Sequence, residues 1–273
     1  FIFYSLPGGN NYKIVSFKTT TNGFMMTTGY VKILLIPVLL FTVSTLALAQ
    51  ESAQSDKTKL NAGCTFSLNS NGISSIPSFS LGAPAIIAAP SFTLGRFNYE
   101  PVLAYDLDIQ PWFIDNWFRY KIVDKQRFEF RTGVNFSMYF SDYKLPDETV
   151  LQGQRYWVAE FTAIYKPSSA SYLSGACWID RGQDAGTIDG LYFSIMGERS
   201  EIGIGKSFLL AANLHLFYID YNGNNDGLFI SPKLTTSLKN KPFALFFHVI
   251  QAITGNITPF PGFSWNMGIA YSL

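Results

Sequence analysis

The sequence predicts an all-β fold, a transmembrane antiparallel up-and-down β-barrel of about 12 strands, with about ten strands as the alternative. The chain is 48% hydrophobic and only 14% charged, whereas soluble domains are about 25% charged. After residue 50, no apolar run reaches the roughly 18 residues that a membrane-spanning helix needs. Apolar and polar residues alternate instead, which is the strand period. Strands with one apolar face reconcile these three observations.

The clearest alternation runs from Arg127 to Phe140. Soluble strands average about 5–6 residues, so a run of this length is typical of a strand that crosses a membrane at a tilt. The opposite parity carries charged, polar or small residues. The apolar parity consists of Phe128, Phe130, Thr132, Val134, Phe136, Met138 and Phe140. Charge and polarity therefore face inward here, the reverse of a soluble barrel.

The residues before the barrel have the pattern of an export signal. Residues 25–49 combine Lys32, an apolar stretch and a closing Ala47-Leu48-Ala49, which predicts a signal peptide cleaved after Ala49. An uncleaved membrane anchor is the alternative. Residues 1–24 precede the first methionine and are interpreted as an upstream, non-native extension. We expect residues 50–60 to be a short periplasmic segment and residues 61–273 to form the barrel.

Twelve segments have strand character and are separated by polar or tight turns. An even number would leave both chain ends on the periplasmic side. Segment 70–90 is the weakest part of the count, because its prolines favour a loop or an edge element. The predicted strands are 61–69, 91–98, 101–109, 116–124, 126–140, 153–166, 170–181, 187–197, 200–220, 227–239, 241–252 and 262–273.

Charged residues on neighbouring predicted strands share the inward parity. Their signs differ between strands, so cross-strand pairs are available. Two interpretations stay open: a salt-bridged ladder that fills a narrow lumen, and a selectivity surface that lines a pore. The expected lumen-lining cluster is Asp106, Asp108, Arg119, Lys121, Arg127, Glu129, Arg131 and Glu160. Six aromatic residues are expected in the interfacial girdles. They are Trp112, Trp117, Trp157, Tyr165, Trp178 and Trp265.

The last predicted strand alternates to the final residue. Its apolar positions are Trp265, Met267, Ile269, Tyr271 and Leu273. This pattern resembles the C-terminal signal that the outer-membrane insertion machinery recognises, so that machinery is an expected partner during biogenesis. Such signals usually end in Phe or Trp, and this chain ends in Leu273.

Three stretches resemble the uncharacterised outer-membrane β-barrel proteins of the Bacteroidetes type. They are Pro90-Ser-Phe-Thr-Leu-Gly with Glu100-Pro101, then Pro111 to Lys121, and the closing Trp265 to Leu273. The resemblance implies location in the outer membrane of a Gram-negative bacterium and a barrel fold. It implies no activity.

We expect a small passive channel, porin-like, for ions or small solutes. A closed structural barrel whose loops bind partners or glycans is one alternative, and a membrane-embedded lipid hydrolase is another. His215 and His248 are the two histidines, and Ser207 lies too far along its strand from His215 for a direct hydrogen bond. We therefore expect no catalytic residues, no metal site and no cofactor. The expected partners are outer-membrane lipid and lipopolysaccharide, with no nucleic acid, and the oligomeric state stays open.

Overall fold

A computed structural model describes residues 59–221, 223, 225–257 and 262–273. Twelve antiparallel strands form one closed barrel in which each strand pairs with its neighbours in the chain and β1 pairs with β12. The predicted fold class and the count of twelve are confirmed. The predicted signal peptide and upstream extension lie outside the described residues. The strands are β1 Leu60–Asn69, β2 Ala85–Leu94, β3 Phe97–Asp106, β4 Pro111–Asp124, β5 Phe128–Lys144, β6 Thr149–Ser168, β7 Ser171–Gly182, β8 Gly190–Ile204, β9 Phe208–Tyr221, β10 Asn225–Leu238, β11 Phe243–Gly255 and β12 Phe263–Ser272.

The connections alternate between the two ends of the barrel. One end, called the turn end, carries the hairpins 95–96, 125–127, 169–170, 205–207 and 239–242, together with the start of β1 and the end of β12. The other end, called the loop end, carries 70–84, 107–110, 145–148 and 183–189, together with the ends of β9 and β11. The longest connection, 70–84, therefore lies at the loop end.

The boundaries of the second and third strands were predicted wrongly. The predicted strand 91–98 crosses the hairpin at Gly95, whose φ of 60° suits glycine. Strand β2 begins at Ala85 and contains Pro90, which the prediction placed in a loop or an edge element. Pro90 lies opposite Pro101, where the β2–β3 ladder has no paired residues between Ala88 and Phe92. Two opposed residues without N–H groups thus share one gap in the ladder, so neither breaks the strand.

The predicted break between β8 and β9 was also wrong. Residues 198–199 lay between two predicted strands, yet β8 continues to Ile204 and the turn is at 205–207. A β-bulge accommodates this stretch, because the register shifts between Arg199 and Ile202 and Glu201 has a φ of 55°. Glu198 consequently lies within the wall.

The outer surface of the barrel is apolar and the inner surface is mixed. Large outward side chains stay exposed, among them Val134, Ile195, Leu245 and Met267. Polar side chains such as Asn135 and Glu160 are only 2% exposed. An apolar outer band with polar groups inside is the arrangement that a bilayer requires of a barrel.

We expect adjacent substitutions in β10 to have opposite outcomes. Leu234 is 49% exposed on the outer face, while Thr235 lines an inner cavity beside Lys233. Leu234→Asp places a carboxylate against lipid and should reduce the folded fraction, at a cost of about 2 kcal/mol. Thr235→Asp should fold normally because Lys233 is close by. The heat-modifiable gel shift after refolding into vesicles measures both, and equal behaviour of the two variants would contradict this assignment of faces.

Residues 70–84, called the luminal segment, fold into the barrel at the loop end. The segment contains a short 3-10 helix, Pro77–Phe79. On one side, the Phe79 ring stacks on Tyr139 with 4.6 Å between centroids, and its carbonyl accepts a 2.8 Å hydrogen bond from Trp112 Nε1. On the other side, Ile73 and Ile76 pack against an apolar cluster. That cluster consists of Tyr192, Phe217, Ile219, Tyr221, Phe229, Ile250 and Ile257.

The contacts of the luminal segment therefore reach both the β4–β6 wall and the β8–β11 wall. The apolar inner cluster departs from the predicted polar interior, and the segment covers it. Trp112, predicted in a girdle, is instead 1% exposed inside the barrel. The β3–β4 pairing skips it, since Ala104 pairs with Phe113 and Tyr105 with Pro111. This bulge turns the Trp112 indole inward.

Candidate functional site

The inner wall formed by β3 to β6 holds a network of ion pairs centred on Glu160. Arg119 donates from Nε to Glu160 and from Nη1 to Glu100. Arg131 lies 3.7 Å from Glu160, and Thr162 Oγ1 donates to Glu160 Oε1 at 2.7 Å. Both carboxylate oxygens of this buried residue therefore have partners, as a buried charge requires.

A second set of ion pairs lies nearer the turn end. Glu129 is 4% exposed and lies 3.0 Å from Lys166 Nζ and 3.7 Å from Lys121 Nζ. Lys121 also lies 3.8 Å from Asp124. Together with the first set, these pairs form what we call the charged wall: Glu100, Arg119, Lys121, Glu129, Arg131, Glu160 and Lys166.

The structure places five of the eight predicted lumen-lining residues in the charged wall. The other three lie elsewhere. Asp106 ends β3 and accepts a hydrogen bond from the backbone N–H of Gln110, Asp108 is exposed in the following turn, and Arg127 is exposed in a turn-end hairpin. Asp108 was misplaced because β3 ends at Asp106, earlier than predicted. Asp106 lies on the inward parity of β3, opposite buried Ala85, but at the loop end and away from the charged wall.

Glu100 and Lys166 belong to the charged wall but were not among the predicted lumen-lining residues. Glu100 lay between two predicted strands, and Lys166 was the last residue of another. Their inward parity was readable once strand ends were known, since Glu100 pairs across the ladder with Trp117 and Lys166 donates its backbone N–H to Arg127.

A row of aromatic rings crosses the interior beside the charged wall. Arg119 lies 4.2 Å from the ring centroid of Trp117, and Trp117 lies 5.2 Å from Trp178. Trp178 stacks on Tyr192 at 4.4 Å, and the row continues through Phe217 to Phe229. Trp117 and Trp178, both predicted in girdles, are therefore interior residues. Trp157, Tyr165 and Trp265 stay exposed on the outside.

The wall opposite the charged wall borders a cavity of about 310 Å³, called the central cavity. Asn213 Nδ2 and Tyr172 OH donate to Glu198 at 3.3 and 3.4 Å. The cavity is also lined by Ser75 of the luminal segment, which ends it on the loop side. Its lining combines one acidic and one basic side chain with amide, hydroxyl and imidazole groups. These groups suit water and small polar solutes.

Both histidines point into the central cavity and hydrogen-bond to the wall. Ser231 Oγ lies 2.6 Å from His248 Nε2, and Tyr192 OH lies 3.0 Å from His215 Nε2. Ser207, by contrast, is exposed in a turn-end hairpin. Strand pairing places Ser231 beside His215 and Lys233 beside His248. The serine and histidine that meet therefore come from different strands.

A second cavity, of about 400 Å³, opens at the turn end. Arg127, Lys166 and Ser171 are among its lining residues. Tyr172 lines both this cavity and the central cavity, so the two adjoin at that side chain. Two neighbouring polar cavities therefore lie between the turn end and the luminal segment, with the Tyr172 side chain between them.

The rim at the loop end is rich in carboxylates. Asp184 accepts hydrogen bonds from the guanidinium of Arg155, the shortest at 2.6 Å, and Arg181 lies 3.0 Å from Asp189. The hydrogen bond from Arg155 holds the pKa of the Asp184 carboxyl below its usual value. The ion pair is therefore fully formed at any pH above the ordinary aspartate pKa. It is lost only when the pH falls through the lowered pKa of Asp184.

No group of three or more metal-ligating side chains occurs in the described ranges. Within the same ranges, no helix is long and apolar enough to cross a membrane.

No protein-family model matches the sequence, and comparison with curated proteins finds no match. Several solved outer-membrane structures are similar. A KdgM porin superposes with a TM-score of 0.49 at 9% identity, covering 77% of this chain and 99% of the porin. The COG4313 outer membrane channel from Pseudomonas putida F1 gives 0.48 at 8% identity, covering 81% and 99%. LpxR from Salmonella typhimurium gives 0.45 at 9% identity, covering 77% and 99%.

Proposed function

We propose that the protein is a porin-like channel for ions or small polar solutes in the outer membrane of a Gram-negative bacterium. Its closed barrel and its apolar outer band support the membrane location. The observation that carries the channel is the pair of polar cavities that share Tyr172 between the turn end and the luminal segment, and we take them as parts of one route for solute. The luminal segment constricts this route at the loop end.

The charged wall also supports an aqueous lumen. The side chains of Lys121 and Arg131 each keep 23% of their surface exposed although they lie inside a closed barrel. A cation that keeps this much surface open is stabilised by water beside it. The pairs around Glu160 hold that wall together, while 23% of the surface of each cation stays open to the barrel interior.

Insertion and lipid contact follow from the outer face. Trp265, Met267, Ile269 and Leu273 are all more than 40% exposed on one face of the strand that closes the barrel. This face is available to the insertion machinery before closure, and to lipid or lipopolysaccharide afterwards. We therefore propose the insertion machinery and outer-membrane lipid or lipopolysaccharide as partners of this face.

Single-channel recording of the purified full chain in a planar bilayer tests the channel. We expect discrete current steps, and Arg131→Glu should change the preference between cations and anions. Arg131→Lys keeps the charge at the same position, is the matched control, and should leave that preference near the wild-type value. Protein that is inserted and folded but passes no current would overturn the proposal.

The 2.6 Å contact between Ser231 and His248 favours a second candidate, a hydrolase of small acyl esters. A serine hydroxyl within hydrogen-bond reach of an imidazole is the usual pair of nucleophile and base. A fluorophosphonate probe should then label the protein, and Ser231→Ala should abolish labelling while Ser194→Ala keeps it. Absence of labelling in folded protein would contradict the hydrolase and leave the contact between Ser231 and His248 as a structural hydrogen bond.

A further inference from the structure

Fixed charge is divided unequally between the two ends of the barrel. Within the described residues, the loop-end connections and adjoining strand ends hold ten acidic and three basic residues, a formal net of −7. The acidic residues are Asp106, Asp108, Asp142, Asp147, Glu148, Asp180, Asp184, Asp189, Asp220 and Asp226. The basic residues are Lys144, Arg155 and Arg181.

The turn end has the opposite sign. Ten basic and three acidic described residues lie there, a formal net of +7. The basic residues are Lys59, Arg96, Lys121, Lys125, Arg127, Lys166, Arg199, Lys206, Lys239 and Lys241. The acidic residues are Asp124, Glu129 and Glu201. The remaining four acidic and three basic described residues lie between the ends and nearly cancel.

Ion pairing leaves most of this separated charge uncompensated. In the described part of the chain, ion pairs at the loop end join Arg155 to Asp184 and Arg181 to Asp189. Four further acids are exposed there and form no ion pair: Asp108, Asp142, Asp147 and Glu148. The loop mouth therefore keeps a negative potential, and the turn mouth keeps a positive one. Each potential extends over about 10 Å at an ionic strength of 0.1 M.

We infer that the channel is an electrically bipolar pore that carries more current in one direction than in the other. The inference rests on the proposed channel function. A negative mouth concentrates cations and a positive mouth concentrates anions. When the loop side is held positive, cations enter through the loop mouth and anions through the turn mouth, so both accumulate inside. The opposite voltage draws cations out through the loop mouth and anions out through the turn mouth, so the pore is depleted of ions.

Current–voltage curves of single channels in KCl test the inference. At about 0.01 M salt, where screening extends to about 30 Å, we expect the current with the loop side positive to exceed the reverse current by about twofold or more. At about 1 M salt screening shortens to about 3 Å, and the curve should become nearly linear. A bulky impermeant thiol reagent acting on a Pro146→Cys variant identifies the chamber that the loops face.

The decisive variant neutralises four exposed acids at the loop mouth: Asp108→Asn, Asp142→Asn, Asp147→Asn and Glu148→Gln. It should lose most of the asymmetry at low salt. The matched control, Asp108→Glu, Asp142→Glu, Asp147→Glu and Glu148→Asp, keeps the charge and should keep the asymmetry. A linear low-salt curve in conducting protein would overturn this inference and leave the channel standing. Absence of current in folded protein would overturn both.

Discussion

Glu160→Gln should destabilise the barrel more than any other single change in the charged wall. The substitution leaves Arg131 without its carboxylate partner and removes one of the two partners of Arg119. Glu160 is 2% exposed, so water cannot replace the lost charge at that position. Breaking a buried pair from one side typically costs about 3–5 kcal/mol. Urea unfolding in lipid vesicles, followed by tryptophan fluorescence, measures the loss.

Glu100→Gln is the matched control for this prediction. It removes the other carboxylate that contacts Arg119, but the Glu100 side chain is 34% exposed against 2% for Glu160. Its effect should therefore be much smaller, because solvent screens the remaining charge. Equal unfolding midpoints for the two variants would contradict the prediction, because burial of Glu160 would then not increase the stability lost on its substitution.

Replacing residues 73–81 by a short Gly-Ser linker should raise single-channel conductance several-fold. The replacement removes Phe79 from its stack on Tyr139 and removes Ile73 and Ile76 from the apolar cluster. It also removes Ser75, which ends the central cavity on the loop side. The route from the turn end should then continue to the loop end. Planar-bilayer recording measures the change, after the heat-modifiable gel shift has shown that the variant folds.

Two further variants sharpen this test. Phe79→Ala should give a smaller rise, since the Trp112 hydrogen bond to the backbone carbonyl of residue 79 does not depend on the ring. Replacing residues 145–148 by the same linker alters another loop-end connection. At about 1 M salt, where screening shortens to about 3 Å, it should leave conductance near the wild-type value. An unchanged conductance after removal of 73–81 would mean that the luminal segment does not narrow the route.

Some interior positions followed directly from the sequence, and others did not. Arg119, Arg131 and Glu160 have the inward parity of long, regular strands, so their face was predictable. The prediction for Asp108 was wrong because the period of two says nothing about where a strand ends. Trp112 failed for a related reason: one bulge shifts the parity, and nothing in the local sequence marks it.

The sequence by itself determined the all-β class, the number of strands and the inside-out polarity. These are local properties, because the alternation of residues within one strand indicates which of them share a face. Only the tertiary structure decided that residues 70–84 turn into the barrel, that Ser231 meets His248 and that Arg119 bridges Glu100 and Glu160. Those contacts join residues far apart in the chain. They depend on strand register and closure, which no single segment encodes.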